Sequence, residues 1–250
     1  MAVVIVVAIP EVAAMAVAAR VVLVAGATAL VGQAVLAALL AAETESKKDL
    51  QTAGSLCGSI GAVHVIYATG RHAPSLRHSR LHLHAVDFNA MPTLPPLDDV
   101  YITLGTTIAA AGSQEAFRAV DYDAVMATAH AARNAGATRC GVVTAMGAHP
   151  HTRIFYNRIK GEVERDLQLL GFTSLVIVRP SLLIGERSAL HQAPRRGESF
   201  YLALFKWLDP IIPANYRARL GTDVGQALVH AVQSAPTGRH VISGQALQAV

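Results

Sequence analysis

The sequence predicts an α/β protein built on a doubly wound parallel sheet, and three observations predict it. Short β-branched runs alternate with longer segments of helical spacing along most of the chain. The strongest runs carry no polar alternation, as strands buried on both faces require. A glycine-containing turn, Gly26-Ala27-Thr28-Ala29-Leu30-Val31-Gly32, joins the first run to the first helix. One such domain accommodates 250 residues, and 52% hydrophobic against 15% charged residues excludes global disorder.

Residues 20–25 form the first expected strand and 30–42, rich in leucine and alanine, its helix. Residues 43–59 are polar, with several glycines and serines, and read as a surface excursion. The second strand, 63–68, stops at Thr69-Gly70-Arg71; the third, 81–86, ends at Asp87, before a loop enforced by Pro92, Pro95 and Pro96. Residues 100–104 supply a fourth strand. The spacing over 113–134 predicts a single helix with Gly136 at its stop. A fifth strand at 140–143, a helix at 156–170 ending at Gly171 and a sixth strand at 175–178 follow. Beyond Arg187 three prolines and Trp207 gather in a segment expected to cap the pocket, about 188–222. A helix at 223–234 and an edge strand at 240–242 close the domain, which runs from 20 to 250. Residues 1–19 read as an apolar extension, and a natural start at Met15 is an expectation from the short lead-in that follows it.

Composition narrows the function classes. The net charge of +4 comes from basic residues at ordinary density with only 5% aromatics, which argues against nucleic acid; a basic cofactor pocket accounts for the excess. Cys57 and Cys140 make neither a disulfide framework nor a zinc motif, so a reducing cytoplasm is expected. Residues 21–42 are uncharged and long enough to cross a bilayer, but a β-branched run meeting Gly26 and Gly32 reads as strand, turn and helix, not a membrane span. The first nineteen residues lack a basic n-region and contain Pro10 and Glu11, unlike a targeting peptide.

Several residues can carry chemistry. Amides at a helix N-terminus hold pyrophosphate, and the backbone of Gly26, Ala27, Thr28, Leu30, Val31 and Gly32 is placed for that role, with Ala29 where the usual middle glycine stands. After strand two, where an NAD site carries a carboxylate, the chain has Arg71, with His72 and Arg77 nearby; a guanidinium suits a 2′-phosphate, so NADP(H) is the expected cofactor. Asp87 could accept from an adenine amino group or simply cap its loop. Tyr156 and Lys160 lie four residues apart on one helical face; a nearby cation favours the phenolate, which suits a tyrosine to proton transfer. His82 with His84, and His149 with His151, lack a convincing third ligand, so no metal is expected.

GATALVG at 26–32, LGTT at 104–107, VTAMGA at 143–148, FYNRIKGEVE at 155–164 and VRPSLLIGER at 178–187 together resemble the short-chain dehydrogenase/reductase superfamily, in its atypical branch of Tat-interacting protein 30 type oxidoreductases. The resemblance spans about residues 21–187 and implies a Rossmann-like sheet with a small C-terminal substrate cap. It implies that Tyr156 protonates a substrate carbonyl and that Lys160 holds the nicotinamide ribose. By the same likeness Gly105 and Thr106 line the cofactor, and Pro180 and Leu183 flank the nicotinamide. Where relatives carry two serines this chain has Thr144-Ala145, so the catalytic hydroxyl falls on Thr144 or is missing at Ala145. The implied function is NADPH-dependent reduction of a small carbonyl or imine, by a protein that could form a homodimer. A catalytically weak NADPH-binding regulator and a sugar-nucleotide epimerase or dehydratase are the alternatives.

Overall fold

A computed structural model of the protein describes residues 20–52, 63–70, 76–181, 183–184 and 219–247. Among them the strands are β1 (Arg20–Ala25), β2 (Val63–Gly70), β3 (Leu81–Ala85), β4 (Asp99–Ile102), β5 (Arg139–Val143), β6 (Ser174–Arg179), β7 (Leu183–Ile184), β8 (Arg219–Leu220) and β9 (Gly238–Ser243). Seven form one sheet in the order β3-β2-β1-β4-β5-β6-β9, every neighbouring pair parallel, while β7 pairs with β8 separately. The helices are α1 (Leu30–Thr52), α2 (Ile108–Ala111), α3 (Gln114–Arg118), a π-helical turn (Ala119–Asp123), α4 (Ala124–Asn134), α5 (Phe155–Leu169) and α6 (Gly221–Ser234).

The strand pleat explains the continuous apolar runs. Val22 and Val24 of β1 join Val31, Val35 and Leu39 of α1 and Leu228 of α6 on one face of the sheet. Leu23 and Ala25 join Val125 and Ala129 of α4 and Val163 and Leu167 of α5 on the other. Period-two alternation therefore delivers apolar side chains to two cores at once. Small residues let α1 and α6 approach closely: a Cβ on Gly225 would stand 2.5 Å from the Ala34 Cβ.

The strand order reverses between β1 and β4, so the crevice at their carboxyl ends is where such sheets take ligands. At the opposite end Arg20 Nε donates to Asp99 Oδ2 at 2.8 Å and ties the same two strands.

Three elements depart from expectation. Helix α1 continues through 43–52 instead of giving way to a loop, because Glu, Lys, Leu and Gln dominate there and the next glycine is Gly54. The helix expected over 113–134 starts at its Ser113 cap and ends at Asn134 but passes through the π turn between α3 and α4, and a separate short helix, α2, capped by Thr107 and stopped by Gly112 at φ +88°, precedes it. The last residues of the expected cap are β8 and the start of α6; its remainder, 188–218, lies outside the described residues, as do 1–19, Cys57 and Arg71. No helix of the described residues is long and apolar enough to cross a membrane.

Candidate functional site

The chain leaves β1 through Gly26, whose φ of +84° favours glycine and whose Cβ would meet the Thr103 carbonyl carbon at 2.8 Å. Gly32 tolerates no side chain, since a Cβ would stand 2.1 Å from Gly26 O. Thr103 completes the joint: its amide donates to Ala25 O at 2.9 Å and its hydroxyl donates to the same oxygen at 2.8 Å. These contacts bring the N-terminus of α1, with its unpaired amides and positive dipole end, against the ends of β1 and β4. Ala27 and Val31 point into the core and Leu30 packs against Gly221, so the turn offers a ligand its backbone and the half-buried Thr28.

After β4 the chain runs through Gly105 and Thr106. The Thr106 amide donates to Asp121 Oδ2 at 2.8 Å, and Asp121 Oδ1 meets Lys160 Nζ at 2.7 Å. The pair is nearly sealed, with the Asp121 side chain 0% and that of Lys160 5% exposed. Burial pushes the Asp121 carboxyl above the usual range, against the opposing pull of Lys160 and the Thr106 amide. Gly105 is exposed, and a Cβ on it would lie 3.4 Å from Asp121 Oδ1 and 3.6 Å from Lys160 Nζ. The ion pair therefore stands directly against bare backbone.

Lys160 follows Tyr156 by one turn of α5, and the half-buried Tyr156 ring packs on Phe117 at 5.4 Å between centroids. A second buried cluster, one turn further on, sets the rotation of α5. Glu164 Oε1 accepts from the Thr144 hydroxyl at 2.6 Å and from Arg179 Nε at 2.9 Å, while Oε2 accepts from Arg179 Nη2. Gly161 lets the loop after β5 lie on the helix, since a Cβ would stand 2.2 Å from the His149 carbonyl carbon. That loop is also tied to the end of β6, the Met146 amide donating to Pro180 O at 2.9 Å.

Gly26, Ala27, Thr28, Leu30, Val31, Gly32, Gly105, Thr106, Tyr156, Lys160, Pro180 and Leu183 are thus distributed about the carboxyl ends of β1, β4, β5 and β6. Thr144 stands nearby, but its hydroxyl is committed to Glu164 and the residue is buried, which corrects the expectation that it serves a substrate oxygen; Ala145 has no hydroxyl to replace it. Asp87, two residues beyond β3, accepts from the Asn89 amide at 2.9 Å and caps its own turn. Sequence reasoning missed Asp121 and Glu164. Phe117, Asp121 and Val125 recur at four-residue spacing, which marks Asp121 as a carboxylate on an apolar helical face, and Glu164 extends the Tyr156 and Lys160 stripe. A hollow of about 390 Å³ between the β3–β4 loop and α4, lined by Met91, Leu94 and Asn134 among others, is separate from this site.

The sheet order and the glycine turn at its reversal define a Rossmann-like α/β fold, which solved short-chain dehydrogenases and epimerases share. A short chain dehydrogenase family protein from Francisella tularensis superposes with a TM-score of 0.63, at 13% identity, over 92% of this chain and 100% of that one. The ADP-L-glycero-D-manno-heptose-6-epimerase of Helicobacter pylori gives 0.60 at 15% identity, over 90% and 76%. A short chain dehydrogenase from Burkholderia cenocepacia in complex with NADP gives 0.57 at 13% identity, over 94% and 92%. At these identities the likeness concerns the fold.

Among curated proteins, the mitochondrial protein FMP52 of Eremothecium gossypii is 44% identical over 101 residues, 40% of this chain and 45% of FMP52. That of Candida albicans is 44% identical over 94 residues, 37% and 41% of the two chains. The chain spans less than half the length of these two relatives. They are named FMP52, not Tat-interacting protein 30. No family model matches the chain. The mitochondrial names overturn the cytoplasmic location expected from cysteine usage, since sparse cysteines do not distinguish one reducing compartment from another.

Proposed function

We propose that the protein is an NAD(P)-dependent oxidoreductase that reduces a small carbonyl or imine compound with NADPH. The observation that carries this reading is the buried Lys160–Asp121 pair, 2.7 Å apart, against the bare Gly105 backbone and one helical turn from Tyr156. A dinucleotide fits the residues present: Gly26 and Gly32, where a Cβ would strike the Thr103 and Gly26 backbone, let α1 close on the ends of β1 and β4, its first amides suit a pyrophosphate, and Gly105 leaves exposed backbone beside the ion pair. When bound, the nicotinamide supplies a hydride to the substrate carbon. The backbone of 26–32 holds the phosphates, and Lys160 with the Gly105-Thr106 stretch holds the adjoining ribose. Pro180 and Leu183 border the ring. Tyr156 passes its phenolic proton to the substrate oxygen or nitrogen as negative charge develops there.

The preference for NADPH rests on Arg71, which follows β2 directly and can meet a 2′-phosphate bidentately. The names of the FMP52 relatives support a mitochondrial location. One observation favours a second reading, a slow enzyme that binds NADPH chiefly for regulation. The Thr144 hydroxyl is taken by Glu164 and Ala145 has none, and loss of one donor to a developing oxyanion costs about 3 kcal/mol.

Titration with NADPH and NADH, then turnover across a carbonyl and imine panel, tests both readings. Binding with NADPH preferred, and turnover lowered by about 10²–10⁴ in Tyr156→Phe, is the expected result. Binding of neither nucleotide overturns the proposal, and unchanged turnover in Tyr156→Phe overturns the catalytic assignment. Tight NADPH binding without turnover supports the regulatory reading. Arg71→Ala is expected to weaken NADPH and spare NADH; equal losses remove its phosphate role.

A further inference from the structure

We infer that Asp121 is a positioning residue for the nicotinamide-side ribose, holding the Lys160 ammonium charged and in place at the Gly105 backbone. The inference rests on the dinucleotide reading above.

Three elements converge on this carboxylate. Oδ2 takes the Thr106 amide from the loop after β4, Oδ1 takes Lys160 from α5, and Asp121 itself belongs to the π turn between α3 and α4. A π turn interrupts helical hydrogen bonding and recurs at functional sites. Here it sits where two helices meet rung to rung: Phe117 packs on Tyr156, and four residues later on both helices Asp121 meets Lys160. One side of the crevice thus supports both the phenol and the ammonium.

The role requires charge as well as shape. A buried ammonium without a counter-charge sheds its proton or turns toward water. The other charged groups on the elements packed around α5 are occupied or exposed. Glu164 is held by Thr144 and Arg179, Tyr122 by Asp166 and Arg118 by Glu162, Arg133 donates to Leu170 O, and Asp123 and His130 are exposed. Among the described residues Asp121 is the carboxylate paired with Lys160.

Asp121→Asn keeps the size and an acceptor for the Thr106 amide but removes the charge. The test measures NADPH affinity from about pH 6 to 9 for wild type, Asp121→Asn, Lys160→Met and the double variant. Asp121→Asn is expected to bind NADPH roughly tenfold to a hundredfold more weakly at pH 7, with the deficit growing as pH rises, as follows for a buried ammonium deprived of its counter-charge. The double variant is expected to bind like Lys160→Met, because Asp121 acts through that lysine. Wild-type affinity in Asp121→Asn at every pH overturns the inference, as does a deficit that stays constant with pH. If Asp121→Asn alone does not fold, the double variant, which buries no charge at this point, decides: affinity equal to Lys160→Met supports the role, and a further tenfold loss overturns it. A wild type that binds neither NADPH nor NADH removes the dinucleotide reading and this inference together; wild-type binding that is indifferent to Asp121 removes the inference alone.

Discussion

Thr144 donates its hydroxyl to Glu164 at 2.6 Å, and that bond determines what the end of β5 contributes. Glu164 is 3% exposed and takes Arg179 as well, so the threonine satisfies a buried carboxylate instead of a ligand. Leaving such an acceptor short of a donor costs about 1–3 kcal/mol. Thr144→Val is therefore expected to lower the melting temperature by several degrees while turnover per folded molecule stays unchanged, and Thr144→Ser to preserve both. A Thr144→Val protein that melts normally but turns over slowly would return the hydroxyl to catalysis.

Tyr156→Phe removes the proposed acid without removing the ring that packs on Phe117. The nucleotide-dependent rate is expected to fall by about 10²–10⁴, with NADPH affinity within about twofold of wild type. Stopped-flow measurement of NADPH oxidation, alongside a binding titration, separates the two quantities.

Gly32 and Gly161 are places where a single methyl has nowhere to go. Each faces backbone, Gly26 O at 2.1 Å and the His149 carbonyl carbon at 2.2 Å from the added Cβ. Gly32→Ala and Gly161→Ala are each expected to destabilise the protein by about 1–3 kcal/mol or more in denaturant melts. Gly32→Ala is also expected to weaken NADPH binding, because it pushes α1 away from β1.

Tyr122 donates to Asp166 Oδ2 at 2.7 Å. That bond, then burial, holds the phenol above its usual value of 10.0; Arg165 first, and Tyr122 in addition, hold the carboxyl below its usual 3.8. A raised phenol contributes stability that is present below pH 10 and lost as pH climbs through the raised value. A depressed carboxyl contributes stability that is present above 3.8 and lost as pH falls through the lowered value. Tyr122→Phe is thus expected to melt slightly below wild type between about pH 5 and 9, the difference closing on both sides. A gap that persists at pH 2 would exclude the hydrogen bond as its cause.

The parallel strands were legible because burial on both faces writes them as unbroken β-branched runs, β1 most plainly. The turn after β1 was legible because glycine at 26 and 32 answers a local steric demand, and the placing of Tyr156 with Lys160 because their spacing puts both on one face of one helix. The tail of α1 was misread because polar composition suggested a loop where the residues are helix formers. The helix over 113–134 was legible from its apolar spacing and its cap at Ser113, but the π turn at 119–123 within it was not.

By itself, then, the sequence determined the alternation of strand and helix, the turn at the end of β1 and the pairing of phenol with ammonium, all set by neighbours within a few residues. The tertiary structure alone decided that Asp121 belongs with Lys160, that Glu164 consumes the Thr144 hydroxyl and that Leu30 faces α6. A side chain's local pattern specifies which atoms it carries, whereas the packing of distant elements fixes where those atoms point and which polar group must be satisfied in the core.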